Sequence, residues 1–154
     1  MMQVKLHDIL DGMEMQSEEI IAYLNLETGE IVFVSDELLM MAEDREEFDH
    51  LPDWEQDEMK LAIDIEENFE KYAQLPTSYD INDYDIMESF CYNVSDDNKR
   101  DTLLSVIKGK GAFGRFRDNV ERFELIDEWY TYQEEKYKEI AVEFCEKHDV
   151  KYTE

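Results

Sequence analysis

The sequence lacks the long apolar runs that mark membrane and secreted proteins. It contains no apolar stretch near the roughly 18 residues that a membrane-spanning helix requires. Its N-terminus, MMQVKLHDILDG, lacks the basic region and apolar core of a signal peptide. We therefore expect a cytoplasmic protein without membrane association.

Cysteine and histidine are too sparse for the common metal and redox sites. The two cysteines, Cys91 and Cys145, are not arranged in a C-x-x-C pattern. Because both fall on predicted apolar helix faces, we interpret them as reduced, buried thiols, with a disulfide or redox pair as the alternative. The 3 histidines have no histidine neighbours at i+3 or i+4, and no D-x-D-x-D-G loop is present. The sequence therefore predicts no zinc or calcium site.

Basic residues are also scarce, with 15 lysines and arginines against 41 acidic residues and a net charge of -26. This charge disfavours free nucleic acid and anionic membranes as partners, whereas it suits a basic protein. Residues 36–70 are the most acidic segment, with 15 acids against Arg45 and Lys60. The simplest interpretation of that segment is a solvated surface that maintains solubility.

The apolar content is nevertheless sufficient for a folded core, at 43% hydrophobic and 12% aromatic residues. Two runs, IIAYLNL at 20–26 and IVFV at 31–34, are rich in β-branched and aromatic residues, and Gly29 lies between them. They predict an antiparallel β-hairpin over about residues 20–34. Because an isolated hairpin is only marginally stable in water, we expect it to pack on helices.

Apolar residues at helical spacing predict helices over most of the remaining chain. The predicted segments are 3–15, a helix capped by Ser35, 59–74 (where KLAIDI also fits a strand), three stripes between Ile86 and Phe123, and about 124–148. Phe113 and Tyr130 are predicted to face inward. The sequence thus predicts an α+β fold, a mostly helical single domain over residues 1–154 with one antiparallel β-hairpin.

The stretch GKGAFGRFR contains the spacing G-x-G-x-x-G, formed by Gly109, Gly111 and Gly114. A dinucleotide fingerprint needs a strand before it and a parallel sheet around it, but the preceding residues show a helical pattern. A Walker loop needs lysine after its last glycine, and Arg115 stands there instead. We interpret the glycines as structural. Gly109 would end one helix in the left-handed conformation, Gly111 would allow the turn, and Gly114 would permit close helix approach, so no cofactor is predicted.

Seven of the 15 basic residues lie in one segment. Residues 99–122 contain seven basic and three acidic residues, whereas residues 1–98 contain 28 acids and four bases. Either this segment docks on the acidic body and relieves its repulsion, or it forms an exposed patch that binds an anion near a helix N-terminus. The candidate anion-binding residues are Lys108, Lys110, Arg115, Arg117 and Arg122.

No catalytic constellation is visible in the sequence. A G-x-S-x-G element is absent, and the cysteines are flanked by acids rather than by the basic groups that activate a thiol. A pair of glycosidase-like carboxylates stays open, because sequence does not fix their separation. We expect no enzyme. The leading hypothesis is a non-catalytic protein-protein interaction module with a strongly acidic surface. The alternatives are an acidic nucleic-acid mimic or inhibitor of a nucleic-acid-binding protein, and an anion or nucleic-acid binder acting through residues 108–122.

Three runs resemble a bacterial group catalogued as uncharacterised protein family 0158, namely LPTSYDINDYDIMESFCYNV, LLSVIKGKGAFGRFRDNVERF and WYTYQEEKYKEIAVEFCEKHDVKY. The resemblance covers about residues 59–152 and, more loosely, the hairpin turn at Thr28-Gly29-Glu30. Its most specific part is GKGAFGRFRD leading to Trp129-Tyr130. The family usually has arginine or lysine where this chain has Gly114. The resemblance implies a small cytosolic bacterial protein and assigns no activity, cofactor or catalytic residue.

Overall fold

The computed structural model describes residues 2–78 and 80–154. The helices are α1 (Leu6–Met15), α2 (Asp36–Glu43), α3 (Asp53–Glu67), α4 (Asp83–Tyr92), α5 (Asp97–Val106), α6 (Ala112–Arg122) and α7 (Ile126–Lys147). The strands are β1 (Gln3–Lys5), β2 (Ile20–Asn25), β3 (Ile31–Ser35), β4 (Tyr72–Gln74) and β5 (Lys151–Thr153). The predicted α+β, mostly helical fold class is confirmed.

The chain forms two compact units. Unit 1 comprises Met1–Thr77 and Ala141–Glu154, and unit 2 comprises Ser78–Ile140. Helix α7 therefore begins in unit 2 and ends in unit 1. The assignment of residues 1–154 to a single domain stays a prediction.

Unit 1 contains the predicted hairpin. Strands β2 and β3 pair antiparallel with Tyr23 opposite Val32, and Gly29 in their connection has a φ of 80°. A third strand was not predicted: β4 pairs antiparallel with the other edge of β2, which gives the order β3-β2-β4. The prediction of one helix over 59–74 is wrong at both ends, because α3 begins after Pro52 and ends at Glu67. A short 3₁₀ turn then leads into β4.

Helices cover both faces of this sheet. On one face, α2 and α3 pack on the strands around a core cluster of Val34, Leu38, Ala42, Met59, Ala62 and Ile65. On the other face, α1 approaches closely at Gly12. A Cβ atom there would lie 2.6 Å from Leu75 Cδ1 and 3.3 Å from Ile31 Cγ2. Gly12 therefore allows the helix to approach the sheet, and this compensates for the low helix propensity of glycine.

A second, two-stranded sheet pairs the two ends of the chain. Strands β1 and β5 are parallel, with Val4 opposite Tyr152. The helix predicted over 3–15 consequently starts at Leu6. A strand of three residues is too short to show alternation, and its partner is distant in sequence, so no local signal predicted it.

Unit 2 contains α4, α5, α6 and most of α7 around an aromatic core. Phe116 makes edge-to-face contacts with Phe90 and Trp129, with ring centroids 6.0 Å and 4.8 Å apart. Asp96 caps the start of α5, since its carboxylate accepts a hydrogen bond from Lys99 N–H.

Three predicted side-chain positions are wrong. Phe113 and Tyr130 were expected to face inward, but they are 50% and 46% exposed. Both lie at the borders of their apolar stripes, where helical spacing alone does not fix the direction of a side chain. Ser35 precedes α2 as predicted, but its side chain makes no capping hydrogen bond.

Candidate functional site

The glycine segment connects two helices, as predicted. Helix α5 ends at Val106, and α6 begins at Ala112. Gly109 and Gly111 have φ values of 79° and 82°, in the left-handed region that favours glycine. The expectation for Gly114 is wrong: it lies in α6, and a Cβ atom there would have no neighbour within 4 Å. Close helix approach therefore does not explain that glycine.

The Arg115 side chain closes this connection. Its Nε donates to the carbonyl of Val106 at 2.9 Å, Nη1 to Lys110 at 2.6 Å and Nη2 to Lys108 at 2.7 Å. The carbonyls at the end of an α-helix lack partners within the helix, and a planar guanidinium can satisfy several at once. All three guanidinium nitrogens thus donate to backbone carbonyls. Arg115 therefore stabilises this connection, and we call it the clamp of the α5–α6 connection.

Two other candidate anion-binding residues also have local contacts. Arg117 donates to the Tyr130 hydroxyl at 3.0 Å and lies 3.6 Å from the Glu121 carboxylate. The Arg122 guanidinium lies 4.8 Å from the centre of the Phe123 ring. Both guanidinium groups thus contact neighbouring side chains. The anion-binding hypothesis stays a prediction.

The remaining two candidates, Lys108 and Lys110, are exposed on the connection itself. Within residues 2–78 and 80–154, neither side chain forms a hydrogen bond or an ion pair. Two exposed lysines beside an occupied arginine do not amount to a preformed anion cradle.

A more distinctive feature is an open cleft of about 960 Å³ in unit 1. It is formed by the residues before β2, the start of α2 and the loop after α2. Seven of its lining residues are acidic, namely Glu18, Glu19, Asp36, Glu37, Asp44, Glu46 and Glu47. The other lining residues are Ser35, Met40, Met41 and His50. We call this feature the acidic cleft.

The acidic cleft has no basic side chain among the described residues that line it, other than His50. Helix stability explains part of this charge, because Asp36 and Glu37 lie in the first turn of α2, where they complement the helix dipole. It does not explain Glu18, Glu46 and Glu47, which lie outside helices and are exposed. Their positions leave a concentration of negative charge open to solvent.

Met40 adds an apolar element to the acidic cleft. Met40 is 57% exposed, so its side chain is accessible to a partner. Methionine is flexible and polarisable, and it adapts to differently shaped apolar partners. The acidic cleft therefore offers carboxylates for cationic groups and a thioether side chain for an aliphatic group.

The sequence located this site only in part. The acid-rich segment 36–70 contains five of the seven acidic lining residues, but Glu18 and Glu19 come from a different part of the chain. The Asp36 N–H donates to the Glu19 carbonyl at 2.8 Å, which joins these two parts. The predicted hairpin already implied that Glu19 and Asp36 are neighbours, because pairing β2 with β3 places the residue before β2 beside the residue after β3.

The two cysteines lie in settings that disfavour the thiolate, which is the reactive form of cysteine. Cys91 and Cys145 are both buried free thiols, and burial raises the pKa of Cys91 to about 11. Burial also raises the pKa of Cys145. The described residues contain no group of three histidine, cysteine, aspartate or glutamate side chains arranged to hold a metal ion.

The family model of the Uncharacterised protein family (UPF0158) matches residues 1–154. The chain belongs to this family. The resemblance seen over residues 59–152 is thus confirmed, and the match extends over the whole chain. No curated protein and no solved structure matches the sequence. Among the described residues, no helix has the length and apolarity needed to cross a membrane.

Proposed function

We propose that this protein is a non-catalytic interaction module whose acidic cleft binds a basic segment of a protein partner. The observation that carries the proposal is the convergence of seven acidic residues on one cleft with no lysine or arginine among its described lining. Lysine and arginine side chains of a partner are the groups that such a surface would attract.

Electrostatics supports this partner class in two ways. A surface of one sign raises the association rate of oppositely charged ligands, and the effect falls as salt screens it. A basic partner would also relieve the mutual repulsion of the cleft carboxylates, so binding and charge neutralisation favour the same complex. An acidic nucleic-acid mimic would be a special case, in which the partner is a nucleic-acid-binding protein; that narrower identification stays a prediction.

The test is titration with a short oligo-lysine peptide, followed by calorimetry at low salt and at about 0.15 M salt. The cleft variant replaces Glu18, Glu46 and Glu47 with glutamine. A matched control replaces three exposed acids of unit 2, Asp101→Asn, Asp118→Asn and Glu134→Gln. The two variants have the same net charge, and they differ only in where the charge is removed.

We expect the cleft variant to bind the peptide about tenfold more weakly than the native chain, since each exposed charge pair contributes about 0.2–1 kcal/mol. The control variant should lose much less affinity. Equal losses in both variants would show that only net charge matters. Absence of binding at low salt would remove the proposal, because electrostatic attraction is strongest there.

A further inference from the structure

The hydrogen bonds at the two ends of the β2–β3 hairpin establish which backbone groups point outward. Asn25 N–H donates to the Glu30 carbonyl, and Asp36 N–H donates to the Glu19 carbonyl, each at 2.8 Å. In an antiparallel pair, only alternate residues bond to the neighbouring strand. The even-numbered residues of β3 therefore bond to β2, and its odd-numbered residues direct their amides and carbonyls away from the sheet.

Strand β3 is an edge of the three-stranded sheet, and its outward groups belong to Ile31, Phe33 and Ser35. Ser35 N–H donates to the Glu58 carboxylate of α3 at 3.0 Å, which agrees with the outward direction. For the backbone groups of Ile31 and Phe33, no partner is found in the described part of the chain. Both residues are partly exposed.

This open edge leads into the acidic cleft. Ser35, the last residue of β3, and Asp36, the next residue, both line the cleft. Glu30 precedes β3 at its other end and is exposed. A chain that ran along β3 would thus have a carboxylate near one end and the acidic cleft at the other.

We propose that a basic, extended segment of the partner adds a fourth strand to the sheet by pairing with β3, and that its lysine or arginine side chains enter the acidic cleft. This inference rests on the proposed function and specifies the conformation of the bound segment. In strand addition, backbone hydrogen bonds provide the affinity and side chains provide the selectivity. Here the charge of the partner's side chains would determine the selectivity.

A second copy of this chain is a poorer occupant of the same edge. Each copy has a net charge of -26, and an antiparallel pair of β3 strands would place the acidic cleft of each copy beside Glu30 of the other. Natural edge strands are commonly protected by charged side chains. In this sheet Glu58 occupies the Ser35 amide and leaves the next two outward amides available.

The first test uses amide hydrogen exchange by NMR, with a short peptide of alternating valine and lysine as the probe. At a peptide concentration about ten times its Kd, exchange at Ile31 and Phe33 should slow by about tenfold. Val32 and Val34, already bonded to β2, are internal controls and should change little. Unchanged exchange at Ile31 and Phe33 in the presence of bound peptide would overturn the inference.

The second test uses two N-methylated forms of the same peptide, each methylated on one of the two alternating sets of amides. A paired strand bonds to β3 through only one set, so one form should bind about tenfold more weakly and the other like the parent. If both bind like the parent, strand addition is wrong and the proposed function stands. If neither the parent nor oligo-lysine binds, the proposed function fails as well.

Self-association of the protein must also be distinguished from peptide binding. If protection at Ile31 and Phe33 appears without peptide as the protein concentration rises, a second copy occupies the edge and the inference is overturned.

Discussion

Units 1 and 2 differ in how they distribute charge. Unit 1 contains 26 acidic and six basic residues, whereas unit 2 contains 15 acidic and nine basic residues. In unit 2, several basic side chains contact nearby groups, as Arg115 does with loop carbonyls and Arg100 with Asp97. In unit 1, the acidic cleft brings carboxylates together, and no lysine or arginine is among the described residues that line it. The net negative charge of the chain is thus concentrated in unit 1, the unit that contains the acidic cleft.

The largest expected effect comes from truncating one core residue in each unit. Phe116→Ala in unit 2 should lower the free energy of unfolding by about 3–5 kcal/mol, and Met59→Ala in unit 1 by about 2–5 kcal/mol, because both side chains are buried. Each unit contains one buried cysteine, so thiol labelling quantified by mass spectrometry reports on both. Phe116→Ala should accelerate labelling of Cys91 more, and Met59→Ala that of Cys145.

Equal acceleration of the two thiols would contradict this comparison of the units. If either substitution accelerated both thiols equally, the two units would open as one cooperative body, in agreement with the single-domain prediction.

The next effect concerns Arg115 as the clamp of the α5–α6 connection. Arg115→Ala should destabilise unit 2 by about 1–3 kcal/mol, because several carbonyls lose a charged donor. Arg115→Lys keeps the charge but cannot reproduce the planar fork, so it should be almost equally destabilising. Thermal unfolding measures both variants. Full stability of the lysine variant would show that charge, not hydrogen-bond geometry, is what the position requires.

Gly109 in the connection and Gly114 in α6 should respond differently to substitution. Gly109→Val should cost about 1–3 kcal/mol, because a β-branched residue is strained at a φ of 79°. Gly114→Ala should be neutral or stabilise the protein by up to about 1 kcal/mol, because it lies within α6 with open space around it. Chemical denaturation of both variants checks this order, and a costly Gly114→Ala would contradict it.

A smaller effect is expected at Tyr72 in unit 1. Its hydroxyl donates to the Asp64 carboxylate at 2.5 Å, and this hydrogen bond, assisted by desolvation, raises the pKa of Tyr72 to about 12. The neutral form is favoured in the folded state, so its stabilisation is complete below pH 10 and is lost as pH rises towards 12. Tyr72→Phe should cost about 0.5–1.5 kcal/mol at neutral pH.

The pH dependence separates this interaction from general alkaline unfolding. The native chain should lose stability between pH 10 and 12 more steeply than Tyr72→Phe in urea titrations. Identical slopes would show that the Tyr72–Asp64 hydrogen bond does not contribute.

The smallest expected effect is that of salt on the two units. Repulsion among carboxylates is strongest in unit 1, so added salt should slow labelling of Cys145 more than that of Cys91. It should also raise the melting temperature of the whole chain. Equal responses of the two thiols would mean that the charge difference between the units has no energetic consequence.

Sequence predicted unit 2 better than unit 1, for physical reasons. The helices of unit 2 have local signals, such as the apolar stripe containing Met87 and Phe90 and the cap at Asp96. The missed strands β1, β4 and β5 have three residues each, and pairing with distant parts of the chain stabilises them. The acidic cleft was incompletely predicted for the same reason, because hairpin pairing brings Glu19 to α2.

The most direct test of the central claim is an NMR chemical-shift map of the labelled chain during titration with oligo-lysine at low salt. We predict that the amides that shift most belong to the acidic residues of the cleft, namely Glu18, Glu19, Asp36, Glu37, Asp44, Glu46 and Glu47. Shifts centred on unit 2, or spread evenly over all exposed acidic residues, would contradict the claim that this cleft is the binding site.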